Sequence, residues 1–133
     1  MSDLLTARLD GYGKALNLLS QRQKVLAGNV ANADTPGFKA RDFDFSAALA
    51  QARGQGIAPQ VTSTRHLGGP SASGETDEAR LQYRASEQPS LDGNTVDLDR
   101  ERANFADNAM RYEATLRFIN NDVRTMLSAI TGQ

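Results

Sequence analysis

The strongest constraint on this chain is a four-three alternation of apolar positions at both of its ends. Leu5, Leu9, Tyr12, Leu16, Leu19, Gln23, Leu26 and Val30 follow one another at steps of four and three residues. Leu98, Arg102, Phe105, Ala109, Tyr112, Leu116, Ile119, Val123, Met126 and Ile130 do the same, and only Arg102 among them is charged. This spacing keeps one stripe of a helix turned toward a partner helix. It predicts a first helix over about residues 3–32, with Ser2 or Asp3 as its N-cap. It predicts a second helix that starts after Asp97 as N-cap and stops at Gly132. At about 1.5 Å per residue the two span roughly 45 and 50 Å. Two helices of matched length at opposite ends of a chain are expected to pair antiparallel.

The expected fold class is therefore mainly α. Two long N- and C-terminal helices pack as an antiparallel coiled-coil-like hairpin, with a small loop- and β-rich middle segment. Residues 1–34 form the N-terminal heptad helix, 35–96 the turn motif and middle segment, and 97–133 the C-terminal heptad helix. Leu5, Leu9, Tyr12, Leu16, Leu19, Leu26 and Val30 are expected to meet Leu98, Phe105, Tyr112, Leu116, Ile119, Val123, Met126 and Ile130 within one subunit. Further apolar rows lie beside or opposite these seams. Leu4, Gly11, Leu18 and Val25 repeat every seven residues, and Ala103, Met110, Ala114 and Phe118 recur on the far side of the last helix. A two-helix hairpin buries one side of each helix, so Leu4, Leu18, Val25, Met110, Ala114 and Phe118 are expected to contact neighbouring subunits.

Composition agrees with a chain that needs partners. Of 133 residues, 39% are apolar and 6% aromatic, and tryptophan is absent. The formal net charge of −1 argues against an electrostatic nucleic-acid binder. The absence of cysteine excludes disulfides, thiolate metal sites and a cysteine nucleophile, and a single histidine, His66, excludes a histidine-rich metal site. No apolar run approaches the roughly 20 residues of a membrane span. The opening Met1–Leu5 has no basic region followed by an apolar block, so no cleaved secretory signal is expected.

The middle segment carries neither heptads nor a long apolar run. Ser46–Arg53 reads as a short helix, Ile57–Thr64 and Arg80–Ser86 as strands that can pair, and Gly68–Glu78 as a mobile loop. Its small core is expected from Phe43, Phe45, Leu49, Ile57, Val61, Leu67, Leu81, Tyr83 and Leu91. Asp42 and Asp44 flank Phe43 and are expected to be solvated charges at a strand edge. His66 has no acid partner nearby in sequence and reads as a surface residue. Neither a nucleophile elbow nor a phosphate loop is present. No catalytic residue, cofactor or metal is expected.

The most specific stretch is Asn29-Val30-Ala31-Asn32-Ala33-Asp34-Thr35-Pro36-Gly37-Phe38-Lys39-Ala40. Locally it reads as a helix stop and a tight turn. Asn32 can close a helix in the left-handed conformation, and Pro36-Gly37 suits the centre of a type II turn. The pattern N-x-A-N-x-x-T-P-G-[FY]-[KR] after a heptad helix resembles the signature of the flagellar basal-body rod and hook family. Asn29, Ala31, Asn32, Thr35, Pro36, Gly37, Phe38 and Lys39 match it in order. The short length and the run Gln88–Glu101 leading into the last helix resemble the proximal-rod member of that family.

The resemblance implies a structural subunit that assembles helically into the rod, the torque-transmitting shaft that crosses the periplasm. It implies export by the flagellar type III system and termini that order on assembly. The implied partners are other copies of the chain, the rod proteins FlgC, FlgF and FlgG, the base adaptor FliE, the membrane–supramembrane ring and the export apparatus. Neither nucleic acid nor a small-molecule substrate is implied. The rival reading from the heptads alone is a cytoplasmic coiled-coil adaptor or secretion chaperone, which has no need of the turn motif.

Overall fold

The computed structural model describes residues 2–54, 81–85 and 90–132. Helix α1 runs Ser2–Ala31, strand β1 Arg41–Asp42, helix α2 Phe45–Ala52, strand β2 Gln82–Tyr83 and helix α3 Leu98–Thr131. The expected strand over Ile57–Thr64, His66 and the Gly68–Glu78 loop lie outside the described residues.

The mainly α fold and its antiparallel hairpin are present. Arg8 on α1 meets Asp122 on α3 at 3.4 Å. Further along, Asn108 Nδ2 donates to the Leu19 carbonyl at 2.9 Å. Nearer the turn, Asn29 Nδ2 donates to Glu101 Oε2 at 3.1 Å. The α1 number rises as the α3 number falls, so the helices run in opposite directions. Asp97 caps α3 as expected, its side chain accepting from Arg100 N at 3.2 Å. Gly132 ends α3 at φ +72° and donates to the Ser128 carbonyl. Helix α1 already includes Ser2 and Asp3, so neither expected residue is its N-cap.

The core is small and lies along α1. Ala15, Leu18, Leu19 and Leu26 are buried there, together with Ala40 and Phe43 from the chain that follows. Leu19 and Leu26 face α3. Leu18 shares its seven-residue row with Gly11, over which Arg53 at the end of α2 lies; a Cβ on Gly11 would come 3.7 Å from Arg53 Nε. The row Gly11–Leu18–Val25 thus faces α2 and β1. Leu18, at 3% exposure, belongs to the core of its own subunit, which corrects its assignment to a neighbour contact. Val25 is partly covered, and Leu4, at the start of α1, is exposed.

On α3 the fully buried side chains are polar, Glu101 and Asn108. They point along the line toward α1, with Ile119 and Met126 half-buried in the same sector. The apolar heptad seam of α3 is less well covered. Phe105, Tyr112, Leu116 and Val123 are only about two-thirds covered. Ile130, at 79% exposure, is outside the hairpin contact, so the seam does not extend to the end of α3. A strict seven-residue repeat stays in register only if the helices supercoil, because 3.6 residues per turn slips by about 20° per heptad.

In the middle segment the short helix appears one residue early, and Asp44 caps it by accepting from Ala47 N at 3.1 Å. Strand β2 falls within the expected Arg80–Ser86, but its partner is β1, with Arg41 opposite Tyr83 and Asp42 opposite Gln82. Of the expected middle core, Phe43 is buried and Phe45 and Leu49 are half-buried. Leu81, Tyr83 and Leu91 are exposed.

Candidate functional site

The motif residues and the run before α3 fold against each other at one end of the hairpin. Helix α1 ends with Asn32 N–H donating to the Gly28 carbonyl at 3.1 Å. The Asn32 side chain donates a second hydrogen bond to that carbonyl at 2.8 Å and accepts from Thr35 Oγ1 at 3.2 Å. No non-glycine residue among those described has positive φ. Asn32 therefore closes α1 by side-chain bonding rather than by the expected left-handed backbone. The turn that follows is as expected: Gly37 has φ +73°, and Phe38 N–H donates to the Thr35 carbonyl at 3.2 Å.

This turn is filled from below by Asn94, itself buried. Asn94 Nδ2 donates to the carbonyls of Asn32, Ala33 and Thr35 at 2.8–3.0 Å, and its Oδ1 accepts from Val96 N at 2.8 Å. Its two N–H groups are thus shared among three carbonyls of the turn, of which those of Asn32 and Thr35 also accept from the Thr35 and Phe38 N–H groups. Around it the two strands of chain are laced together. Gly37 N–H donates to the Asp92 carbonyl at 2.8 Å, and Thr95 N–H to the Phe38 carbonyl at 3.0 Å. Ala40 N–H donates to Thr95 Oγ1 at 2.8 Å, and Lys39 Nζ to the Gly93 carbonyl at 2.7 Å. Gly93 has φ +75°, and a Cβ there would stand 3.8 Å from the Gly37 Cα, so two positive-φ glycines meet backbone to backbone. Each motif position therefore has a physical task, except that Ala31 and Pro36 make no hydrogen bond beyond the helix stop and turn they shape.

Beside the turn lies a polar core. Asn29 is 1% exposed and works as a strand partner. Its Oδ1 accepts from Arg41 N at 3.1 Å and its Nδ2 donates to the Arg41 carbonyl at 2.7 Å and to Glu101 Oε2. Glu101, 1% exposed, also accepts from Arg84 Nη1. Arg84 Nη2 donates to Asp42 Oδ2 at 2.6 Å. Arg22 donates to both Asp42 oxygens at 3.2 Å in a forked pair. Two guanidiniums and two carboxylates thus join α1, β1, the residue after β2, and α3, with no net charge. Burial works to raise the Asp42 carboxyl. The Arg22 hydrogen bond, the Phe43 N–H and the charges of Arg22 and Arg84 outweigh it and hold the group below its ordinary value. Asp42 is a half-buried ion-pair member, which corrects the expectation of a solvated strand-edge charge there; Asp44 is exposed and caps α2.

This polar core was the part missed from sequence. One signal was available: Gln23 interrupts the apolar seam of α1, and in the fold it accepts from Asn108 Nδ2 at 2.6 Å. Among the described residues, no group of three or more histidines or carboxylates is placed to hold a metal ion. No described helix is long and apolar enough to cross a membrane. The remaining sequence-predicted contact residues are scattered. Met110 and Phe118 are well exposed on α3, and Ala114 between them is partly exposed.

A turn motif fed by one long helix and braced from beneath by the start of another defines a class of helical-hairpin subunit whose signature is structural. The model of a family described as flagella basal body rod protein matches residues 13–39, which cover the second half of α1 and the turn. Over nearly the whole length, the chain is similar to flagellar basal body rod proteins FlgB. It is 46% identical to that of Escherichia coli K12 over 98% of this chain and 97% of the relative. It is 44% identical to that of Yersinia enterocolitica and 47% to that of Proteus mirabilis HI4320, with 98% of each chain covered. The chain belongs to the FlgB family of flagellar basal body rod proteins. Its role is that of a structural subunit of the rod, located in the flagellar basal body.

Proposed function

We propose that the chain builds the proximal rod by stacking helically with copies of itself, and that it does so without catalytic activity. Its other neighbours are the rod proteins FlgC, FlgF and FlgG, with the base adaptor FliE and the membrane–supramembrane ring at the base. It reaches the periplasm through the flagellar type III apparatus rather than by a cleaved signal. The observation that carries this reading is the contrast on α3. A 34-residue helix buries only Glu101 and Asn108 against its own chain and leaves Met110 and Phe118 more than half exposed. A shaft that transmits torque needs many stiff, densely packed contacts between subunits, and long helices with unused apolar rows supply them. Leu4 and Val25 on α1, with Met110, Ala114 and Phe118 on α3, are the assigned neighbour contacts. The half-buried seam residues pair the two helices within a subunit.

Replacing Phe118 with Asp tests the assignment. The variant is expected to be made and exported at normal levels but absent from isolated rods, leaving cells non-motile. Normal incorporation would remove Phe118 from the interface.

A further inference from the structure

We propose that the groove between α1 and α3, on the side away from α2, receives the outer row of α3 from a second copy of the chain. The proposal rests on the reading of the protein as a rod subunit and names the surface that its outer row meets. The groove is a cavity of about 300 Å³. Its apolar wall is formed by Leu19 and Tyr112, its polar floor by Gln23 and Asn108, and its rim by Ser20 and Glu113. Ser20 is nine residues beyond Gly11, which at about 100° per residue puts it on the opposite side of α1 from the side that Arg53 covers. Nothing described from α2, β1 or β2 lines this side.

Three observations commit the groove to a second copy. First, its wall continues the hairpin seam: Leu19 is buried and Tyr112 is left 37% exposed, so a third helix laid there completes a contact already begun. Second, the charges are complementary. Glu113 on the rim is 74% exposed and reaches Arg117 only at 3.9 Å, while Arg117, 81% exposed, stands next to Phe118 on the outer row. A neighbour that seats Met110 and Phe118 in the groove brings its own Arg117 toward Glu113. Beneath the floor, Asn108 Oδ1 is buried without a hydrogen-bond partner among the described residues. Third, groove and row lie on different faces of one helix, since Met110 stands roughly 200° around α3 from Asn108. A contact between unlike faces does not close on itself and propagates as a screw, the symmetry that a rod requires.

The chain has no cysteine, so engineered pairs report cleanly. The test is Ser20→Cys combined with Ala114→Cys in the full chain, expressed in a motile background, with rods isolated and oxidised. The hairpin register sets Ser20 level with about residue 109, so Ala114 of the same subunit is too far along and around α3 for a disulfide. The expected result is a ladder of dimers, trimers and larger species on a non-reducing gel, absent from both single variants. Four results would overturn the proposal. Assembled rods without any crosslink would do so. Dimers from Ala114→Cys alone would show outer rows meeting each other, with the rod reading intact. Protection of Ser20→Cys from a thiol reagent without a ladder would show a different occupant. A double variant that fails to assemble would do so if the Ser20→Ala, Ala114→Ser chain, with the same sites altered but no thiol, assembles normally. Should Phe118→Asp rods also form normally, the assignment of the outer row itself fails, independently of the groove.

Discussion

Where α1 stops and α3 starts, the polar groups inside the hairpin find partners within the chain. Asn29, Asn94 and Glu101 are nearly inaccessible, and each makes at least two hydrogen bonds. Where α1 starts and α3 stops, Leu4, Leu127 and Ile130 face solvent, and the cross-helix ion pair between Arg8 and Asp122 is partly exposed. The closed end carries the family motif and the open end carries unused apolar surface. The motif thus builds a self-sufficient joint, while the far part of each helix is left for the assembly to finish.

The largest effect is expected from breaking the buried charges at the closed end. Replacing Arg84 with Met leaves Glu101 buried beside Asn29 alone and takes one of two cations from Asp42. A cost of about 3 kcal/mol is expected, the lower end for removing one partner of a buried pair, because Arg84 retains some solvent contact. Thermal melting of the folded or assembled protein reads it, and a change under 1 kcal/mol would show that the network contributes little. Replacing Asn94 with Ala removes its side-chain hydrogen bonds to the turn carbonyls; a loss of about 2 kcal/mol is expected. If that variant melts like the parent, water satisfies the turn equally well.

Gly93→Ala is expected to cost about 1–2 kcal/mol, because φ +75° suits glycine and not an L side chain. The extra methyl itself meets only ordinary contact at 3.8 Å, so the effect should come from backbone conformation. Gly93→Asn, a residue that tolerates the left-handed region, should recover part of the loss. Acid should act on the same end. The Asp42 carboxyl is held below its ordinary value in the fold, so the stability it contributes is present above about pH 4 and lost as pH falls through the lowered value. Asp42→Asn should flatten that acid limb. The smallest effect on the isolated subunit is expected from the open end: Ile130→Ser should shift its melting by less than about 0.5 kcal/mol, since the side chain is already exposed.

Much of this architecture was legible because it is written in period and punctuation. The four-three spacing specified two helices, Asp97 and Gly132 marked the ends of α3, and Pro36-Gly37 marked the turn. What stayed hidden was long-range. Nothing local to Asn94 announces that it fills a turn some sixty residues earlier, and nothing local to Arg84 shows that it joins Asp42 to Glu101. Periodicity also misplaced Leu18, because a helix can carry two apolar faces for two partners within the same subunit. Conversely, it counted Ile130 into a seam that the hairpin contact does not reach. Polar residues that interrupt an apolar stripe, such as Gln23, were the readable trace of the buried polar core.

One end of the hairpin is complete in the single chain, and the other is completed by neighbours. Hydrogen exchange, resolved along the chain and compared between dilute protein and assembled rods, tests it most directly. Protection is expected around residues 22–42 and 92–108 already in the dilute protein, with residues 2–12 and 116–131 gaining protection only on assembly. Uniform protection of both helices in the dilute chain would contradict it.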